Sequence, residues 1–258
     1  MQVTIGPVLA LVLLALTAAA ALLVRWGGLD LDREIWVAAV RAVVQLAVVS
    51  LLIAAVLRNA GWTAAFISGM VLVAAYTAGR RVTGATTWWM IVPILAGVAP
   101  VVTLLLLSGL VPLKPVAVLP IAGILIGGAM TACSLTGQHA LEALRTRHGE
   151  YEGALAIGLL PRDAALEICR PAARLALIPV LDQTRTVGLV TLPGAFVGVL
   201  LGGADPIQAG ATQVLVLIGL LAVESTAALL TLEITVRGRI QRRPVPRSAR
   251  RKTARPRR

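Results

Sequence analysis

The sequence predicts an all-α, polytopic membrane protein with about seven transmembrane helices, and three observations carry that prediction. Hydrophobic residues make up 58% of the 258 and charged residues 14%, where a soluble domain carries roughly 45–50% and about 25%. Mean hydropathy is +0.87. The apolar residues are gathered into runs of about 20, the length an α-helix rising about 1.5 Å per residue needs to cross about 30 Å of hydrocarbon. A disordered chain, a collagen-like fibre and a disulfide mini-protein are excluded by the same composition.

The first run, Ile5–Val24, has no Lys or Arg ahead of it, which suits a retained span better than a cleaved signal peptide. Ile35–Leu57 carries Arg41 and Gln45, four residues apart and so on one helix face. Trp62–Gly79 stops at Arg80 and Arg81. Trp88–Leu110 holds Pro93 and Pro100, which kink a helix and free carbonyls for neighbours. Val116–Gly137 is followed by a hydrophilic stretch. Thr186–Gly203 is expected as a sixth span. Pro193 opens its glycine series, Gly194, Gly198 and Gly202, which places small residues on one face for close helix approach, within the chain or across a dimer. Thr212–Val236 carries Glu224 at its middle. Ala172–Leu181 is apolar but too short to span; it is either the entry to a long, broken sixth helix or an interfacial segment. None of these runs has the short alternation of a barrel.

Charge gives the orientation. With the N-terminus outside, the internal segments hold 20 of the 24 Lys and Arg and the external loops only Arg58 and Lys114. The positive-inside rule therefore predicts N-out and C-in. Residues 1–236 form the transmembrane domain, with a cytoplasmic loop at about 138–173. Residues 237–258 carry eleven Lys and Arg, three prolines and no acid, which predicts a disordered cytoplasmic tail that grips anionic lipid headgroups. No aromatic residue interleaves its charges, so nucleic acid is not the expected partner.

The loop contains Glu152-Gly153-Ala154, then Gly158, then Ile168-Cys169-Arg170-Pro171. The spacing resembles the EAA coupling loop of ABC importer permeases, with Gly153 in place of the first Ala and Arg170 in place of Leu. A short helix of small residues suits a groove on a partner ATPase, and Gly158 permits the turn after it. The alternative for the same residues is a surface amphipathic helix.

A longer resemblance rests on Arg41-Ala-Val-Val-Gln45-Leu, Pro120-Ile-Ala-Gly123, Gly127-Gly-Ala-Met130, Glu152 to Gly158, and Asp182-Gln-Thr-Arg-Thr-Val-Gly-Leu-Val-Thr-Leu-Pro-Gly194. Gly198, Gly203, Asp205 and Pro206 extend it. These blocks resemble the FetB-like iron-export ABC permeases, a family that also includes plant aluminium-tolerance permeases; the likeness runs from about residue 30 to 236. Gly128 stands where that family usually has Asn, which removes one hydrogen-bonding amide. Pro171 is not general in the family and restores the importer pattern. The resemblance implies a permease subunit exporting iron or another metal. It implies a homodimer, with ATP and Mg held by a separate ATPase docking on 150–171, in the inner (cytoplasmic) cell membrane.

The residues themselves add limits. Neither lysine, Lys114 or Lys252, sits in a G-K-[ST] loop, so no cofactor is expected on this chain and nucleotide hydrolysis belongs to another. Catalytic constellations within spans are missing from the pattern, so an enzyme is not expected. Charges inside a membrane are costly, at about 2.5–3.5 kcal/mol on insertion scales. That makes Arg41, Gln45, Asp182, Arg185 and Glu224 candidates for a substrate path or for a structural ion pair, such as Arg41 with Glu224 or Asp182. Met130 joins them as a soft side chain sharing a face with Cys133. Glu233 reads as a solvated boundary charge. Cys133, Cys169, His139 and His148 have no metal-ligand spacing, so the identity of any metal site stays unknown. Two other function classes fit: an ion-coupled secondary transporter using Glu224 or Asp182, and a non-transporting membrane scaffold.

Overall fold

The computed structural model describes residues 6–85 and 87–240. It is all-helical, with a single isolated bridge between Val187 and Thr191 among the described residues. The helices are α1 (Pro7–Trp26), α2 (Asp32–Val56), α3 (Ala60–Thr83), α4 (Ile91–Leu107) entered through a 3₁₀ turn at Trp88–Met90, α5 (Pro115–Thr146), α6 (His148–Ala156), α7 (Pro161–Ala176), α8 (Ile178–Thr186), α9 (Gly194–Leu201) and α10 (Pro206–Val236). Pro7, Pro115, Pro161 and Pro206 stand at helix starts, where the missing N–H has no intrahelical partner to lose.

Six described stretches are long and apolar enough to cross a membrane: α1, α2, α3, α4 with its 3₁₀ lead, α5 and α10. Lipid offers no partner to backbone groups, so each must satisfy its own, and a helix does that within one segment. The chain divides into two compact units at Trp62/Thr63. In the first, α1 and α2 pack on each other. In the second, α10 is the hub, touching α4, α5, α7, α8 and α9. Half of its most apolar stretch is buried, against 6% for α1 and none for α2. The exposed apolar faces of α1 and α2 suit a lipid surround.

Small residues set the packing distances around α10. A Cβ added at Gly97 of α4 would lie 2.8 Å from the Val223 carbonyl oxygen, and one at Gly128 of α5 would lie 2.5 Å from Leu220 Cδ2 and 2.6 Å from Glu224 Oε1. Ala129, Ala132, Ala227 and Ala228 are fully buried nearby. Between hydrocarbon-facing helices, association comes from dispersion contacts at close range, which small side chains allow. On its other side α5 meets α3: Val82 fills the space over Gly137, and Gln138 Nε2 donates to the Arg81 carbonyl (2.9 Å) at the end of α3.

The expected span Thr186–Gly203 is corrected: it is not one helix. α7 and α8 meet at Leu177, so Ala172–Leu181 spans the break between two helices. α8 then stops at Thr186, whose carbonyl accepts from Leu189 and Val190, while Gly188 takes φ +79 and donates to the Thr191 carbonyl (2.9 Å). Pro193, with no N–H to continue a ladder, precedes α9.

Packing continues past the expected boundary at 236. Ile240 is buried in the main core cluster, and the Arg239 guanidinium lies 4.7 Å from the centre of the Trp89 ring. The chain turns back at Gly238, φ +69, which makes this return possible. The rest of the expected disordered tail, 241–258, lies outside the described residues.

Gly97→Leu is expected to cost about 1–3 kcal/mol, because the new side chain meets rigid α10 backbone. Gly69→Leu, where an added Cβ meets nothing within 4 Å, is expected to stay within about 0.5 kcal/mol of the parent. Thermal unfolding of both variants in detergent checks the contrast.

Candidate functional site

Two features of the second unit combine exposure, polarity and shape: a helical hairpin at one end of α10, and a cavity toward the other. The hairpin is α6 and α7. Arg147 precedes α6 and Nε donates to Glu150 Oε1 (2.8 Å), an exposed pair that holds the Glu150 carboxyl below its usual range. His148 Nδ1 lies 3.4 Å from Glu152 Oε1. No residue of α6 is buried. Gly158 takes φ +95 and ends the turn, with Leu159 N–H donating back to the Ala154 carbonyl (3.1 Å); such a left-handed residue after a helix is what glycine permits. Ile157 and Leu160 flank it, 80% and 67% exposed.

α7 does the anchoring. Its Ala164, Ala165, Ile168, Cys169, Ala172, Ala173 and Ala176 are buried, and this face packs against Ala140 of α5 and Leu232 and Val236 of α10. Of the expected coupling residues, then, Glu152, Gly153 and Pro171 are exposed, Ala154 is half-buried, and Ile168 at 4% faces inward, out of reach of any partner on this face.

Glu233, near the end of α10 as a boundary charge should be, is also paired. It is held by two arginines: Arg162 Nε and Nη2 donate to its two oxygens, both at 2.8 Å, and Arg237 Nε donates at 2.6 Å. The bidentate fork fixes the start of α7 to the end of α10 and raises the Arg162 pKa, first through the hydrogen bond and then through the charge of Glu233. The signal in the sequence was faint, since Arg162 and Glu233 are 71 residues apart.

The cavity is about 900 Å³ and open on one side. Its walls are the α4–α5 connection at Leu110–Pro112, the first half of α5 to Ile124, Gln183 of α8, Pro193 to Val199 around α9, and the first half of α10 to Leu220. The Asp182–Gly194 stretch, the longest of the sequence blocks, thus builds the helix end, the tight turn and one wall. Gly194 and Gly198 line the cavity, and an added Cβ at either meets nothing within 4 Å. The expected close helix contact through these glycines is absent from the described chain; Gly202 meets only its own helix carbonyls. Gln213, not singled out from the sequence, also lines the cavity; it is 5% exposed and its Oε1 has no hydrogen-bond partner. Its clue was a polar residue within an apolar run, seven and eleven positions before Leu220 and Glu224, on the same α10 face.

The remaining candidates of the second unit do not form one cluster, and Arg41 and Gln45 belong to the first unit. Glu224 is buried at 8% and lies over Gly128, with no ion pair in its own unit among the described residues. Asp182, one expected partner for Arg41, pairs with Arg185 one turn on (3.4 Å), and both are exposed. Arg41 and Gln45 lie one turn apart and exposed on α2 in the first unit. Met130 is half-buried against the main core. Among the described residues no group of three or more His, Cys, Asp or Glu could hold a metal ion.

A family model described as an uncharacterised protein family, UPF0014, matches residues 8–239. The chain belongs to the UPF0014 family. Curated relatives agree. The rice "UPF0014 membrane protein STAR2" is 34% identical over 87% of this chain and 79% of its own. The Arabidopsis thaliana "Protein ALUMINUM SENSITIVE 3" is 36% identical over 73% and 71%. The Escherichia coli "Probable iron export permease protein FetB" is 33% identical over 57% and 56%. No solved structure matches. This UPF0014 chain is thus an all-α, multi-pass membrane protein.

Removing the charge of Glu233 leaves Arg162 and Arg237 facing each other. Glu233→Gln is expected to lower stability by about 1 kcal/mol at low salt, the scale of a partly exposed bidentate pair. The gap to the parent should shrink at about 1 M salt, where the Debye length is about 3 Å. Unfolding curves at the two ionic strengths measure it.

Proposed function

We propose that the chain is the permease subunit of an ABC transporter, exporting iron or another metal and working as a homodimer with a separate ATPase that carries the ATP and Mg. The observation that carries this is the α6–α7 hairpin: a helix with no buried residue, tipped by exposed Ile157 and Leu160, mounted on a helix clamped to α10. The EAA-like spacing from Glu152 to Pro171 supports it, and so does the likeness to a relative named as an iron export permease.

The mechanism follows from the mounting. The N-out, C-in charge pattern puts the hairpin in the cytoplasm, in the cell membrane's reach of an ATPase. The ATPase groove takes α6 and the apolar tip. When ATP closes the ATPase dimer, the hairpin is displaced, and the small-residue face of α7 passes the displacement to α5 and α10 because these surfaces are interlocked. The Arg162–Glu233 fork keeps α7 from sliding on α10. Inward and outward access to the cavity then alternate. No hydrolysis occurs on this chain, and the basic tail holds anionic headgroups.

A second reading rests on Glu224, a buried carboxylate with no ion pair in its unit among the described residues: an ion-coupled secondary transporter, which would move substrate on a gradient alone. Co-purification separates the two. The chain is expected to hold its ATPase in detergent, and Glu152→Arg with Gly158→Leu and Ile157→Asp is expected to weaken that complex at least ~10-fold, with the elution profile of the permease unchanged. An ATPase that never binds, or binds the variant equally, would overturn the ABC reading; transport lost in Glu224→Gln without any ATPase would establish the second.

A further inference from the structure

The cavity's chemistry does not suit a bare metal ion. Its lining is uncharged throughout, and its polar groups are Gln183, Thr212 and Gln213 among apolar residues such as Ile121, Val216 and Leu220. An ion entering it would shed water and meet no carboxylate, thiolate or imidazole, a transfer that is strongly unfavourable. At about 900 Å³ it is instead the size of sites that enclose small organic molecules, about 300–1,000 Å³.

Gln213 gives the recognition element. Its Oε1 is an acceptor without a partner on a side chain 95% buried, since 5% is exposed, and such groups in native structures are normally satisfied. Thr212 Oγ1 already donates to the Gln208 carbonyl (2.9 Å), so that hydroxyl too offers lone pairs. Thr212 Oγ1 offers its lone pairs to the cavity as it stands, and Gln213 Oε1, sealed just beneath the wall, reaches a donor when its side chain turns outward.

We propose that this cavity binds the metal as a neutral chelate, an uncharged complex whose organic ligands present N–H or O–H groups to Gln213 and Thr212, with the apolar walls covering the rest. The inference rests on the permease reading and names the form in which its substrate enters. In a neutral complex the chelator's own atoms satisfy the ion, so desolvation falls on a weakly hydrated surface and the protein needs no ligand set. That agrees with the lack of a metal-holding group among the described residues.

The test uses the full-length permease in detergent and tris(acetohydroxamato)iron(III), a neutral complex with three amide N–H donors, followed by its visible absorbance in equilibrium dialysis. Aqueous ferrous sulfate and the similarly compact but trianionic tris(catecholato)iron(III) are the comparison probes. Saturable binding of the neutral complex alone is expected, with Gln213→Leu weakening it about 10-fold or more, the scale of one lost buried hydrogen bond. Gly198→Leu is the second variant. Nothing lies within 4 Å of an added Cβ there, so the side chain starts from open space and occupies part of the cavity, and binding should weaken. Equal binding by both variants, or uptake of the bare ion or the trianion in preference to the neutral complex, overturns the proposal. ATPase capture is measured on the same samples. Capture without chelate binding sinks the cavity assignment and leaves the permease reading; chelate binding without capture does the reverse.

Discussion

The second unit depends on how closely helices can approach α10. Apolar surface in a bilayer gains little by meeting other apolar surface, so the association must come from contacts at van der Waals distance. Gly97, Gly128 and the alanines of α5 and α10 make that distance possible. At Gly128 the approach has a chemical result as well, because the space a Cβ would occupy is where the Glu224 carboxylate lies. A backbone contact and a buried acid are therefore one constraint, and an Asn at 128 could not share this arrangement without moving Glu224 or Leu220.

Around that hub, the two ends of α10 are built for different jobs. At the α7 end, the surface is closed by small residues and by a charged fork, both of which resist sliding. At the other end, α9 is short, Gly194 and Gly198 leave open space where a Cβ would stand, and a cavity opens between it and α5. Rigidity is concentrated where force would arrive and space where a molecule would sit. One helix, about 46 Å long for 31 residues at 1.5 Å each, joins them.

Most of this was legible as class and little as detail. Hydropathy found α1 to α5 and α10 because burial in lipid demands a continuous apolar run. It joined Thr186 to Gly203 wrongly because apolarity is blind to Gly188 and Pro193, which end the helical ladder whatever their neighbours' hydropathy. Charge counting placed Glu233 at a boundary and could not see Arg162 beside it, since contacts between distant residues leave no local pattern. The tail was cut at Val236 because basic residues begin there, yet Ile240 returns to the core under Arg239. Gln213 escaped notice because an amide has no charge to flag, although burial makes it as consequential as an acid.

The interruption between α8 and α9 gives the cavity wall a property that a continuous helix would lack. A rod transmits rotation along its whole length, and bending one strains many hydrogen bonds at once. Residues 187–193 instead join α8 to α9 through a short turn closed on the Thr186 carbonyl and the Gly188–Thr191 bond, so no helical ladder runs unbroken from one helix into the other. The α9 wall of the cavity can therefore change in sequence without unseating the scaffold of α5 and α10 behind it.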